Sequence, residues 1–128
     1  MIFGGDICDG YSEVYECVEA LLKIKNLILI KGNHDHWFIE WLKTGKHPYR
    51  WGQGGKGTLI SYCKNIKKHY YDIQDGFSTT MLPMDIPDTH YKFFNFMTPY
   101  YVTTDNKLFV HGGFNRHVPI SQNLEHTL

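Results

Sequence analysis

The chain has 128 residues, enough for one small domain with a single core and too few for two. Lys plus Arg and Asp plus Glu both number 13, so the net charge favours neither nucleic acid nor anionic lipid as a partner. Three cysteines give no disulfide framework, and no apolar stretch reaches the length of a membrane span. We therefore expect a soluble cytoplasmic domain that does not bind a membrane. The balanced charge also argues against nucleic acid as a partner.

The first part of the chain predicts a β–α–β unit. The opening "MIFGGD" indicates the end of a buried strand that runs into a glycine turn. Apolar residues at helical spacing predict a helix over Ser12–Lys25, with Ser12 as its N-cap. The apolar run Asn26–Lys31 is typical of a strand buried on both faces. Because ligands bind at the carboxyl ends of such strands, the loops "GGDICDG" and "GNHDHW" are expected to share one edge.

The remaining elements complete a predicted α/β fold in which helices and a β-hairpin follow the β–α–β unit. Gly52–Gly57 is expected to be a flexible loop, and "GFSTTMLPMDIP" is expected to be a second loop. Helices are predicted over about Thr58–Lys67 and from Pro87 to about Met97. A hairpin turns at Asp105–Asn106, and its second strand ends at His111.

Potential metal ligands follow each of three predicted strands: Asp6, then Asn33 with His34, and finally His111. A pair of metal ions needs oxygen and nitrogen ligands that converge from several loops, and one of them is a bridging carboxylate. Glycines beside these residues permit the close approach of backbone segments. The alternative is ordinary turn and cap chemistry, since Asp, Asn and Gly are common in loops.

The blocks "GGDICDG", "GNHD" and "HGG", in that order, resemble the signatures of calcineurin-like metallophosphoesterases. The chain is most similar to the serine/threonine protein phosphatase branch, in particular its bacterial and phage-type members. The resemblance implies a β-sandwich flanked by helices, of which this chain would form part. It also implies two divalent metal ions, with manganese preferred and iron or zinc as alternatives.

The resemblance also implies a role for each matching residue. Asp6 corresponds to the carboxylate that bridges both metal ions, and Asn33 and His111 correspond to further metal ligands. His34 corresponds to the proposed general acid, and Asp9 to the carboxylate that orients it. A turn or cap role near Ser12 is the alternative for Asp9.

The chain departs from the family pattern at three points. No Asp-x-His block precedes Asp6, and no Gly-His block follows "HGG"; neither His117 nor His126 is a convincing substitute. Gly10 stands where the family usually has a phosphate-holding arginine. We therefore expect residues 1–128 to be a single, partial domain that is truncated at both ends.

The predicted function is hydrolysis of phosphomonoesters, with a phosphorylated protein or a small phosphoester as substrate. Two alternatives remain: a dinucleoside-polyphosphate hydrolase of the same fold, and a non-catalytic domain, truncated or degraded, that kept the fold.

Other conspicuous residues are given structural interpretations. We expect Asp35 and His36 to be loop residues rather than ligands, and His90 to be a packed or hydrogen-bonded histidine. Arg50 and Arg116 are expected at the solvated surface. A set of aromatic residues is expected to pack in the core or to cap it: Trp37, Trp41, Trp51, Tyr70 and Tyr71.

Overall fold

The computed structural model describes residues 1–123 and has the predicted α/β class. The helices are α1 (Val14–Leu22), α2 (Asn33–Thr44), α3 (Gly55–Ile66), α4 (Asp88–Asn95) and α5 (Ile120–Asn123). The strands are β1 (Ile2–Phe3), β2 (Ile28–Leu29), β3 (Tyr70–Ile73), β4 (Gly76–Thr79), β5 (Tyr100–Val102) and β6 (Leu108–Val110). Short 3₁₀ turns lie at Tyr49–Gly52 and Pro83–Asp85. No helix in the described part of the chain is long and apolar enough to cross a membrane.

The predicted β–α–β unit is confirmed. Strands β1 and β2 pair in parallel, with Ile2 opposite Ile28, and α1 connects them. Thr98 extends this sheet beyond β2, since its N–H donates to Leu29 O and its carbonyl accepts the N–H of Lys31. The loops that follow β1 and β2 therefore leave the sheet at the same edge.

Helix α1 is shorter than predicted, and Ser12 is not its N-cap. Glu13 occupies the cap position, without a side-chain capping bond, and the Ser12 hydroxyl instead donates to the Glu13 carboxylate at 2.9 Å. The N-cap prediction was wrong because Ser12 lies one residue too early to reach the first turn of the helix.

The prediction of a loop after "GN" was wrong, because α2 begins at Asn33. Gly32 is the N-cap, and its N–H donates to the carboxylate of Asp35, the third helical residue. A helix-spaced apolar set then faces the core: Trp37, Phe38, Trp41 and Leu42. Asp35 and His36 are therefore helical residues, and the first turn of α2 carries two of the predicted site residues.

Helix α3 begins at Gly55, earlier than predicted, and takes in part of the expected glycine loop. Glycine is required at position 57, in the first turn of this helix, because a Cβ on Gly57 would lie 2.5 Å from the carbonyl oxygens of Gly10 and Tyr11. The helix therefore packs its backbone directly against the loop that follows β1.

Strand β4 was also missed, since Phe77–Thr79 pair with β3 in an antiparallel hairpin. Tyr70 and Tyr71 of that hairpin are exposed, so their predicted packing role was wrong. Helix α4 and the β5–β6 hairpin are confirmed, with Asp105 and Asn106 between the paired strands.

The core is predominantly aromatic, and the prediction for the three tryptophans is confirmed. Phe38 lies at its centre and contacts the rings of Trp41, Trp51, Tyr62 and Phe94. All five residues are buried. The inner face of α2 is therefore packed, through Phe38, against aromatic rings of α3, α4 and the 3₁₀ turn at Tyr49–Gly52.

His90 has the predicted hydrogen-bonded, buried role. Its Nδ1 lies 2.7 Å from the Tyr62 hydroxyl, and its Nε2 lies 2.6 Å from a carboxylate oxygen of Glu19. The interaction links α1, α3 and α4. Burial raises the pKa of Tyr62, so its hydroxyl stays protonated.

We predict that Phe38→Ala lowers the free energy of unfolding by about 3–5 kcal/mol, because it leaves a cavity among rings that cannot fully collapse. Phe96→Ala is the matched control: Phe96 is 75% exposed, and its loss should change stability by less than about 0.5 kcal/mol. Urea unfolding followed by tryptophan fluorescence measures both changes. Similar losses in the two variants would contradict the assignment of the core.

Candidate functional site

Asp6 lies where the three strand ends meet. It follows β1 in a left-handed backbone conformation with φ of 59°. Its Oδ1 accepts the backbone N–H of His34 at 3.1 Å, and its Oδ2 lies 2.9 Å from Nε2 of His111. One carboxylate therefore contacts residues that follow β2 and β6.

Two glycines allow this convergence. A Cβ on Gly32 would overlap the Asp6 carboxylate, and a Cβ on Gly5 would lie 2.7 Å from Gly32 N and 2.8 Å from His111 Nδ1. Gly5 also has φ of +97°, which other residues rarely adopt. The close approach of the three segments thus requires hydrogen in place of a side chain at both positions.

A second contact orients His111. Its Nδ1 lies 2.8 Å from the carbonyl oxygen of Gly4. A carbonyl only accepts, so Nδ1 is the donor in this contact, and Nε2 is the ring nitrogen that faces the Asp6 carboxylate. This arrangement is common among metal-binding histidines, whose second nitrogen donates to a backbone carbonyl.

His34 and Asp9 face each other across the site. His34 Nδ1 lies 3.6 Å from Asp9 Oδ1, beyond hydrogen-bonding distance, and is buried without a hydrogen-bond partner among the described residues. The His34 ring packs edge-on against Trp37 at 4.7 Å between ring centres. Asp9 is the more exposed partner, with 53% of its side chain accessible.

The structure thus brings four of the five predicted site residues into one cluster: Asp6, Asp9, His34 and His111. Asn33, the fifth, is the first residue of α2 and is half-buried beside His34. His117, Arg50 and Arg116 are exposed surface residues, and His126 lies outside the described residues.

Sequence reasoning missed Asp35. This fully buried carboxylate accepts three backbone N–H groups, from Asp6 at 2.7 Å, Gly32 at 2.9 Å and Cys8 at 3.2 Å. Burial raises the pKa of Asp35, while the three donors act in the opposite direction. Its position three residues after Gly32 is the spacing of an N-terminal capping acid, and this was the available sequence signal.

Cys8 lies between Asp6 and Asp9 but is unsuited to be a ligand or a nucleophile. Its side chain is fully buried. Burial, followed by the negative charge of Asp35, raises the pKa of the Cys8 thiol well above its ordinary range. The thiol therefore stays protonated and acts as a small apolar group.

Gly54 is a second residue that sequence reasoning missed. It precedes α3 with φ of +83°, and its carbonyl accepts the N–H of Gly10 at 3.2 Å. A Cβ there would lie 2.9 Å from Asp9 Oδ1 and 3.1 Å from His34 Nδ1. The glycine-rich segment Gly52–Gly57 therefore forms a wall of the site, because Gly54 packs against Asp9 and His34. The cluster of glycines in the sequence was the signal that could have indicated this close packing.

The donor set fits a divalent metal ion. Asp6, Asp9 and His34 each offer a potential ligand atom, and these three atoms lie within 4.8 Å of one another, so Asp9 and His34 could serve either as ligands or as an acid and its partner beside the ion. The 2.9 Å between Asp6 Oδ2 and His111 Nε2 also suits one ion, because two donors bound at about 2.1 Å and at right angles lie roughly 3 Å apart. Carboxylate oxygens and imidazole nitrogens are both ligands of divalent metal ions in proteins.

A model of the calcineurin-like phosphoesterase family matches residues 1–127, and the chain belongs to this family. Membership indicates a metal-dependent hydrolase of phosphoesters, and the family typically uses two metal ions. A search among curated proteins found no match.

We predict that Gly54→Ala destabilises the protein and disturbs His34. The left-handed backbone alone costs about 1–2 kcal/mol for a residue with a Cβ, and the new methyl group would press on Asp9. The free energy of unfolding should fall by at least that amount, and the NMR resonances of the His34 ring should shift.

Gly52→Ala is the control for this change. Gly52 has no positive φ, and a Cβ there meets no atom within 4 Å, so neither stability nor the His34 resonances should change appreciably. Equal effects of the two substitutions would refute the role of Gly54 as a wall of the site.

Proposed function

We propose that this chain is a phosphomonoesterase of the serine/threonine protein phosphatase branch, acting on phosphoserine or phosphothreonine in proteins. The observation that supports it is the convergence of Asp6, His34 and His111 from three strand ends. The order of the motifs that carry these residues supports the same branch. Manganese is the preferred ion in this proposal, and iron or zinc is the alternative.

Each residue has a role that follows from its contacts. Asp6 and His111 would bind metal, since Asp6 Oδ2 and His111 Nε2 lie 2.9 Å apart and Nδ1, the other ring nitrogen, is engaged by the Gly4 carbonyl. Asn33 would add a neutral oxygen ligand from the start of α2. When bound, the ions would lower the pKa of a water molecule and neutralise charge on the phosphate.

His34 would act as the general acid. In an in-line displacement, water adds to phosphorus while the ester oxygen leaves with the bond electrons and needs a proton. A protonated His34 can supply that proton, and the Asp9 carboxylate facing Nδ1 would stabilise the protonated ring. Hydrolysis then gives the free alcohol and inorganic phosphate.

A non-catalytic domain is the second candidate, because of Gly10. No atom lies within 4 Å of a Cβ placed on Gly10, so the position expected to hold a phosphate-binding arginine is open. The truncation at both ends stays a prediction. If it holds, further ligands for the second ion would come from a longer parent protein.

The test is hydrolysis of para-nitrophenyl phosphate with added Mn²⁺, together with Mn²⁺ affinity from electron paramagnetic resonance. The wild-type chain should hydrolyse the ester only with metal. His34→Ala should bind Mn²⁺ normally while kcat falls about 10²- to 10⁴-fold, the usual contribution of a general acid. His111→Ala should lose Mn²⁺ affinity, and His117→Ala, at an exposed position, should resemble the wild type.

Three results would decide against parts of this proposal. A loss of Mn²⁺ affinity in His34→Ala would make His34 a ligand rather than the acid. Metal binding by folded wild-type chain without hydrolysis would favour the non-catalytic domain. Faster turnover of dinucleoside tetraphosphates than of phosphoserine peptides would replace the phosphatase branch with the dinucleoside-polyphosphate alternative.

A further inference from the structure

We propose that Asp35 is a positioning residue of the metal site, because its buried carboxylate joins the loop that carries Asp6 to the first turn of α2, which carries His34. The inference rests on the proposed function and deepens it. Asp35 is assigned no contact with metal or substrate. It would act by holding Asp6 where a metal ion can be bound.

The hydrogen bonds of Asp35 reach both loops. Oδ2 accepts the N–H of Asp6 at 2.7 Å and the N–H of Gly32 at 2.9 Å. Oδ1 accepts the N–H of Cys8 at 3.2 Å. Both oxygens are therefore engaged by backbone donors, and the side chain is fully buried, so it cannot serve as a ligand from this position.

Asp6 returns the interaction. Its Oδ1 accepts the backbone N–H of His34, the residue just before Asp35. The β1 loop and the first turn of α2 thus each supply one carboxylate to the backbone of the other. Reciprocal bonds of this kind fix both the separation of the two segments and their relative rotation.

The same contacts select the conformation of Asp6. Asp6 adopts φ of 59°, an uncommon value for a residue with a side chain. The bond from its N–H to Asp35 holds the peptide that precedes this conformation. The Cys8 bond holds the chain on the other side of Asp6, towards Asp9. Loss of the Asp35 carboxylate would release the backbone on both sides of Asp6, a proposed metal ligand.

The test compares Asp35→Asn with Asp85→Asn. Asparagine keeps the size, but its amide group must face at least one of the three N–H donors, so the full set cannot be made. Asp85 is the matched control: it accepts the N–H of Leu82 at 2.8 Å as the third residue of a 3₁₀ turn, and it is neither a site residue nor hydrogen-bonded to one. Both substitutions replace an Asp that is the third residue of a helical turn and that accepts the N–H of the N-cap residue.

Two measurements separate positioning from general stability. In metal-free protein, hydrogen exchange at the amides of Asp6, Cys8 and Gly32 should speed up in Asp35→Asn and not in Asp85→Asn. At a temperature where both variants are folded, Asp35→Asn should weaken Mn²⁺ binding about 10- to 100-fold, as is usual for groups that support metal ligands. The visible spectrum of the Co²⁺-substituted protein should also change.

The outcomes distinguish this inference from the proposed function. Wild-type Mn²⁺ affinity and Co²⁺ spectrum in folded Asp35→Asn would overturn the positioning role alone. A wild-type chain that binds Mn²⁺ without hydrolysing phosphoesters would overturn the proposed function alone, and weaker Mn²⁺ binding in Asp35→Asn would then still support the inference. A wild-type chain that binds no divalent ion would overturn both. Equal weakening in Asp85→Asn would reduce Asp35 to a residue of general stability.

Discussion

A carboxylate without access to water must find its hydrogen-bond donors within the protein, and Asp35 finds them in two separate loops. That requirement fixes the distance between the end of β1 and the start of α2. At this distance Gly5 and Gly32 touch, and only hydrogen fits where a side chain would be. The position of Asp6 beside His34 therefore follows from the hydrogen bonds that the buried Asp35 carboxyl group makes with the backbone.

The two sides of the site are supported differently. Helix α2 places Asn33 and His34 in its first turn, while Phe38 in its second turn is held among aromatic rings of the core. His111 instead follows the β5–β6 hairpin and is joined to the β1 loop through Gly4 and Asp6. One part of the donor set is therefore built on a packed helix, and the other depends on a peripheral hairpin.

The sequence predicted what local pattern controls: the β–α–β unit, the last hairpin and the three loops that carry polar residues. It did not predict that α2 begins within the "GNHD" block, because Gly and Asn are usual loop residues and the helical pattern becomes clear only from Trp37 onwards. Asp35 and Gly54 were missed for a related reason. Their roles in the site depend on contacts with residues 20 or more positions away, which the capping spacing of Asp35 and the glycine cluster around Gly54 do not reveal. The chemical roles of the five predicted site residues stay predictions.

Crystals grown with Mn²⁺ and measured at the manganese absorption edge would show whether the convergent donors bind a pair of metal ions. We expect anomalous peaks at the Asp6 carboxylate, with His111 Nε2 about 2.0–2.3 Å from one ion. If the chain holds both ions, the peaks should lie about 3.5–4 Å apart. No peak at Asp6, in crystals whose Asp6 and His111 side chains remain as described, would contradict the account.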